Sequence, residues 1–186
     1  MKLMLIITLL VPILAISQDY AADEQLRRLK QDTAYSDTAY TPLHHDSLAH
    51  FEGLKYFKIN KKYRIECKVK KDLGPNFTMA TSSGKLKEFR QYAVLKFKLN
   101  GKKHKLPVYQ NIKLMTNPLH KNYLFVPFND LTNGEETYGG GRYLEVQIPK
   151  EGEKLVIDFN QAFNPLCHYR TGWNCPIPPK ENFLNT

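Results

Sequence analysis

Read by the spacing of its apolar residues, the sequence changes period along its length. Leu3 to Ile16 is apolar except for Thr8 and Pro12. From Asp23 to about Ala34, the residues Leu26, Leu29 and Ala34 fall at near-helical spacing, and Asp23 and Glu24 stand where a helix N-terminus favours negative charge. One short N-terminal helix is predicted there. Thr33 to His50, with Thr41, Pro42, His44, His45 and His50, sustains no period and reads as a loop. Beyond it the period becomes two, the mark of half-buried strands. Tyr63, Ile65, Cys67 and Val69 alternate with Arg64, Glu66 and Lys68; Ala93, Leu95, Phe97 and Leu99 alternate with Val94, Lys96 and Lys98. Asn100-Gly101 is the pair that a type I′ hairpin turn prefers, because both central residues need positive φ. His104, Leu106 and Val108 continue on the return strand, and further strands are predicted at Tyr123–Phe128, Leu144–Ile148 and Leu155–Phe159.

Many short strands at close spacing behind a single helix predict a mainly β fold, an antiparallel β-sandwich or partly closed β-barrel with one short N-terminal helix. No internal repeat of fixed length is visible, which argues against a propeller or solenoid. Pro165, Pro176, Pro178 and Pro179 stand in the last 22 residues, so this tail is expected to pack in extended form across the barrel. The organisation predicted is a leader at 1–17, a helix and linker at 18–41 and a single β-rich domain at 42–186.

The leader rests on Lys2, the apolar run that follows it and the small residues Ala15 and Ser17, which suit cleavage after Ser17. Fourteen residues are short of the roughly 20 that cross a bilayer, so a signal peptide is favoured over an uncleaved anchor. The expected location is exported, periplasmic or extracellular, with no transmembrane segment in the mature chain. The net charge of +9 is unevenly spread: Gly53 to Lys105 holds 16 basic and three acidic residues. Many of these lysines, among them Lys68, Lys96 and Lys98, take the outward parity of predicted strands. They read either as a solvated face whose charges guard sheet edges, or as a docking surface for an anionic polymer or headgroup. No nucleic-acid reader motif accompanies them, so a nucleic-acid partner is not expected.

Cys67 falls on the inward side of its strand as a buried free thiol, whereas Cys167 and Cys175 are expected to form a disulfide in an oxidising compartment. Their spacing matches no zinc motif, and neither a metal site nor a cofactor is expected.

The most chemically dense stretch is Asp130 to Tyr143, Asp-Leu-Thr-Asn-Gly-Glu-Glu-Thr-Tyr-Gly-Gly-Gly-Arg-Tyr. Its glycine run lets backbone approach a neighbour closely, yet the Lys-Ser/Thr ending of a P-loop is absent. Extended to Pro127–Leu144, and taken with Asp158–Cys167 and Cys175–Asn182, it closely resembles the signatures of an uncharacterised family, domain of unknown function 1684, with a weaker echo at Phe51–Phe57. The resemblance implies a fold and no reaction.

Asp130, Thr132, Thr137, Tyr138, Arg142, Asp158, Asn160 and Asn164 all fall at predicted strand ends or connecting loops. Two arrangements suit them. One is a buried polar network, with Arg142 paired to Asp130 or Asp158 and the two asparagines holding the tail. The other is a pocket in which Arg142 and the loop amides face a small anionic or carbonyl-bearing ligand or an envelope component. A hydrolase using Asp130 and Asp158 as acid and base is an alternative function, and a purely structural envelope protein is a second. No nucleophile elbow, HExxH or dinucleotide fingerprint is present.

Overall fold

The structure, a computed structural model, describes residues 12–39 and 41–186. Residues 1–11, which hold most of the expected leader, lie outside the described residues. Helix α1 (Pro12–Ser36) precedes eight strands: β1 (Arg64–Lys71), β2 (Asn76–Ala80), β3 (Leu86–Leu99), β4 (Lys102–Asn111), β5 (Tyr123–Asp130), β6 (Arg142–Gln147), β7 (Leu155–Asp158) and β8 (Phe183–Leu184). Their order across the sheet is β6-β5-β4-β3-β1-β7, with β2 paired to β3 and β8 to β5. The two ends of that order, β6 and β7, come together, so the antiparallel sheet curls into a nearly closed barrel.

The β3–β4 hairpin turns as its sequence requires, with φ of 49° at Asn100 and 77° at Gly101. Strand β3 is twice the predicted length, and a bulge explains the shortfall. The β3–β4 register slips between Gln91 and Ala93, and the neighbours Tyr92 and Ala93 both enter the barrel core. One extra residue reverses which face each parity serves. After the bulge Ala93, Leu95, Phe97 and Leu99 point inward; before it, Phe89 joins a second apolar cluster outside the barrel, with Met79, Tyr109, Phe125 and Tyr143. Free Cys67 lies in the barrel core, where burial pushes its thiol pKa up to about 12.

The tail covers part of that second cluster and is less uniformly extended than predicted. It contains single turns at Leu166–His168 and Lys180–Asn182, and it ends in β8, which pairs parallel to β5. Its anchor is Asn182, whose relative exposure is 0%. Tyr109 faces Phe125 across β4 and β5, and continuing that antiparallel register by two residues sets Pro107 opposite Pro127. Neither proline has an N–H, so the ladder cannot form there. Asn182 fills the gap: its Nδ2 donates to Pro107 O at 2.9 Å and Pro127 O at 2.6 Å, while its Oδ1 accepts from the Tyr109 hydroxyl at 2.9 Å.

Helix α1 begins well before the predicted start at Asp23, and it docks by an unexpected face. Leu26 and Leu29 are 50% and 63% exposed. The docked face is polar. Buried Glu24 accepts from Arg27 at 2.7 and 2.8 Å, from Arg28 at 3.0 Å and from Gln161 at 3.2 Å. Burial alone would raise the Glu24 pKa, but the hydrogen bonds from Arg27 and Arg28 outweigh it and hold the carboxyl below its usual value. Among the described residues, no helix is long and apolar enough to cross a membrane.

Candidate functional site

One end of the barrel opens into a cavity of about 1100 Å³. Its floor is the barrel mouth, formed by Leu99, Asp130, Arg142, Phe159 and Leu184. Its roof is residues 51–60, an extended strap that belongs to no sheet. Helix α1 contributes Arg28, Gln31 and Tyr35, and the tail contributes Phe163, Asn164, His168 and Tyr169.

Side chains of α1 and of the turn after β7 hold the strap in place of a backbone ladder. Asp32 Oδ1 accepts from Leu54 N at 3.0 Å, Arg28 Nη1 donates to Phe57 O at 2.8 Å, and Asn160 Oδ1 accepts from Asn60 N at 2.8 Å. Asn160 also donates through Nδ2 to Asn60 O and to Asp158 Oδ1, at 3.0 and 2.8 Å. Asp158 accepts in addition from the Tyr20 hydroxyl at 2.6 Å and from Asn160 N at 3.0 Å. Both its oxygens are therefore occupied, and Asp158 does not line the cavity. Tyr20, raised above its ordinary pKa by burial first and then by Asp158, remains a donor at neutral pH.

The second carboxylate lies at the cavity floor. Arg142 stands opposite Phe128 in the β5–β6 register and points into the barrel mouth, where its Nη2 donates to Asp130 Oδ2. Asp130 Oδ1 accepts from Thr132 N at 3.0 Å and Thr132 Oγ1 at 2.5 Å. Thr132 Oγ1 is 2.9 Å from Thr137 Oγ1, which accepts from Asn133 Nδ2 at 2.9 Å. The guanidinium lies over the rings of both Phe57 and Phe128, with Cζ 5.4 and 5.2 Å from their centroids. Such stacking favours a cation. Its Nε, however, is buried without a hydrogen-bond partner. Arg142 thus pairs with Asp130 and not with Asp158, while Tyr138 N donates to Asn164 Oδ1 at 3.2 Å.

The glycine run preceding Arg142 earns its place by close approach. At Gly141 φ is +94°, and a Cβ there would lie 2.8 Å from Phe128 O and 2.7 Å from Pro178 Cγ. Gly141→Ala is expected to lower the unfolding free energy by about 2–4 kcal/mol in urea titration, combining strain at positive φ with overpacking. Gly139, whose nearest neighbour to a Cβ would be 3.7 Å away, should accept alanine within about 0.5 kcal/mol.

Of the residues singled out in the sequence, Asp130, Thr132, Thr137, Arg142, Asn160 and Asn164 meet at the cavity; Tyr138 packs beside it at a tilt against His168, with centroids 5.4 Å apart. The strap, marked in the sequence only by the weaker echo at Phe51–Phe57, follows no period, and the cavity side chains of α1 lie off the apolar positions by which that helix is read. Tyr35 packs edge-on to Tyr169 at 5.6 Å, and burial first, then Tyr169, pushes its pKa up to about 12. His168 is held below the usual imidazole pKa by burial and then by Lys55. Cys167 and Cys175 form the expected disulfide, which closes the loop next to this wall. Among the described residues no group of three or more His, Cys, Asp or Glu side chains could hold a metal ion.

A model of the family described as a protein of unknown function, DUF1684, matches residues 49–186. The chain belongs to this family. No curated protein matches the sequence. The DUF1684 chain is similar to an uncharacterised protein of Haloarcula marismortui, solved in solution by NMR, at 29% identity and a TM-score of 0.69, over 92% of both chains. The DUF1684 match contains the strap, the Asp130–Arg142 loop and the tail, so the cavity floor, its roof and its disulfide-closed wall all lie within the family's span.

Proposed function

We propose that this DUF1684 protein is an exported binding module that holds a small ligand under the strap, with an anionic or carbonyl group turned toward the basic side of the cavity. The observation that carries this reading is the cavity itself, about 1100 Å³ with aromatic walls and the buried Arg142 at its floor. Ligand sites are concave, mostly apolar and supplied with a few convergent polar groups. Asp130 already offsets the charge of Arg142, so the arginine orients an acceptor more than it neutralises one. Lys55 and Lys58, which line the strap side and form no ion pair among the described residues, are the cations left for an anion.

Hydrolysis by Asp130 and Asp158 is the weaker reading. Each carboxylate is occupied by internal donors, and only Asp130 borders the cavity. A purely structural protein gives no account of an open aromatic cavity. Export is supported by Lys2 and the apolar run Leu3–Ile16, and by a disulfide of the kind that persists in oxidising compartments.

A thermal-shift screen with aromatic and aliphatic carboxylates and their neutral amides tests the reading. Members of one class should raise the melting temperature, and Lys55→Ala should weaken carboxylate binding about tenfold while leaving the ligand-free melting temperature unchanged. A preference for the amides would assign a carbonyl ligand. A screen without any shift, or binding insensitive to both Lys55→Ala and Tyr169→Ala, would remove this cavity as the site.

A further inference from the structure

A second surface, none of whose lysines lines the cavity, carries an unexplained charge pattern. Lys68 on β1, Lys96 on β3 and Lys105 on β4 stand directly opposite one another, in one row across three strands. The next row repeats the arrangement with Lys98 opposite Lys103, and Lys70 extends β1 at the other end. All six are exposed, and they alternate with the core residues Cys67, Leu95, Phe97 and Leu106. Like charges placed directly opposite on one sheet face repel and destabilise it. Among the described residues no acidic side chain pairs with any of the six; the nearby pair, Glu66–Lys154 at 2.6 Å, involves neither row. Guarding an edge does not account for Lys96, because β3 is flanked there by a strand on each side. Edge protection therefore leaves the array unexplained, and an anionic partner would relieve its repulsion.

We infer that the β1–β3–β4 face docks on the anionic headgroups of a lipid bilayer. Three features fit that occupant. The array is two-dimensional, three strands wide at roughly 4.8 Å per strand, and matches a plane of charge better than a single anionic strand. Its groups are all lysines, point charges on flexible stems, without the arginine forks that read phosphate geometry bidentately. Beside the rows, Val94 of β3 stands opposite Pro107 of β4, and neither offers an aromatic ring on which a base could stack. The surface therefore reads charge density and little else. Each lysine near an anionic membrane contributes about fivefold to partitioning, so three together should contribute about 100-fold.

Sedimentation of the full chain with vesicles tests this, because the apolar N-terminus is common to every arm. Binding to vesicles of equal phosphatidylglycerol and phosphatidylcholine should exceed binding to pure phosphatidylcholine and fall steeply as salt rises. Lys68→Gln/Lys96→Gln/Lys105→Gln should lose about 100-fold of the anionic binding, with a melting temperature equal to or above the parent's, since the repelling row is gone. Lys113→Gln/Lys121→Gln/Lys180→Gln, the same charge change off this face, should lose far less. Equal binding to both vesicle types would overturn the proposal, as would equal losses in the two triple variants. Tighter binding to single-stranded DNA than to anionic vesicles, lost in the first triple variant, would assign the face to a polyanion instead.

Discussion

Asn182→Ala is expected to cost about 3–5 kcal/mol of folding stability and to lower the melting temperature by about 10 °C or more. The side chain is fully buried and occupies a place where two strands cannot bond to each other. Removing it leaves the carbonyls of Pro107 and Pro127 and the hydroxyl of Tyr109 without partners, and each buried unsatisfied group costs about 1–3 kcal/mol. No backbone rearrangement can compensate, because the missing donors are the N–H groups that proline does not have. Asn182→Asp should be worse than alanine, since a carboxylate would present lone pairs to two carbonyl oxygens. Asn182→Gln should also fail, the extra methylene overpacking a site without free space. Urea unfolding of the three variants distinguishes this from loose tail attachment: a tail that merely frays would leave the main transition of the barrel unmoved.

This anchor also marks where the sequence could be read and where it could not. The alternation in β1, β3 and β4 was legible because one face of each strand is core and the other is water. The Asn100-Gly101 turn was legible because its geometry needs positive φ, which few residues tolerate. The first half of β3 was not, because the bulge at Tyr92 changes which parity is buried, and a single period followed along the strand breaks there. Pro127 inside a strand should have argued against a central position. It is tolerated because a side chain 55 residues away supplies the missing donor, and no local pattern encodes a bond of that reach. Helix α1 was found through Leu26 and Leu29, residues that face away from the barrel. Its docking face reads as polar surface in any one-dimensional pattern, since Glu24, Arg28 and Asp32 become an interface only when Gln161, Asn160 and the strap are brought to them.

The same division applies to the site. The Asp130–Arg142 loop stood out because glycines and short polar side chains concentrate where backbone must turn tightly. Asp158 and Asn160 stood out for similar chemistry but serve a different task, tying α1 and the strap to the barrel. Polar density in sequence identified where side chains must be satisfied, and it did not separate satisfaction of the fold from exposure to a ligand. The cavity depends on the strap, whose aromatic residues follow no period because no sheet or helix orders them.

Arg142→Met is expected to destabilise the protein by about 3–5 kcal/mol, and Asp130→Asn added to it should restore a substantial part of that loss. Both partners are buried, and removal of the arginine leaves a carboxylate with one oxygen facing apolar rings and no cation. Methionine preserves much of the volume against Phe57 and Phe128, so the loss reports charge more than a cavity. In the double variant no charge is buried, and an asparagine can still accept from Thr132. The interaction energy of the cycle should therefore reach about 2–3 kcal/mol, the upper range for residues in direct contact. The double variant separates architecture from binding in a way the single variants cannot. It should fold, retain the strap through Asp32, Arg28 and Asn160, which it does not touch, and keep the cavity, yet lack the guanidinium. If Arg142 orients a ligand, the folded double variant will no longer show the thermal shift that the parent gives with its carboxylate or amide. If the pair serves the barrel mouth alone, the shift will survive the substitution, and the ligand contacts must be sought on the strap side around Lys55 and Tyr169.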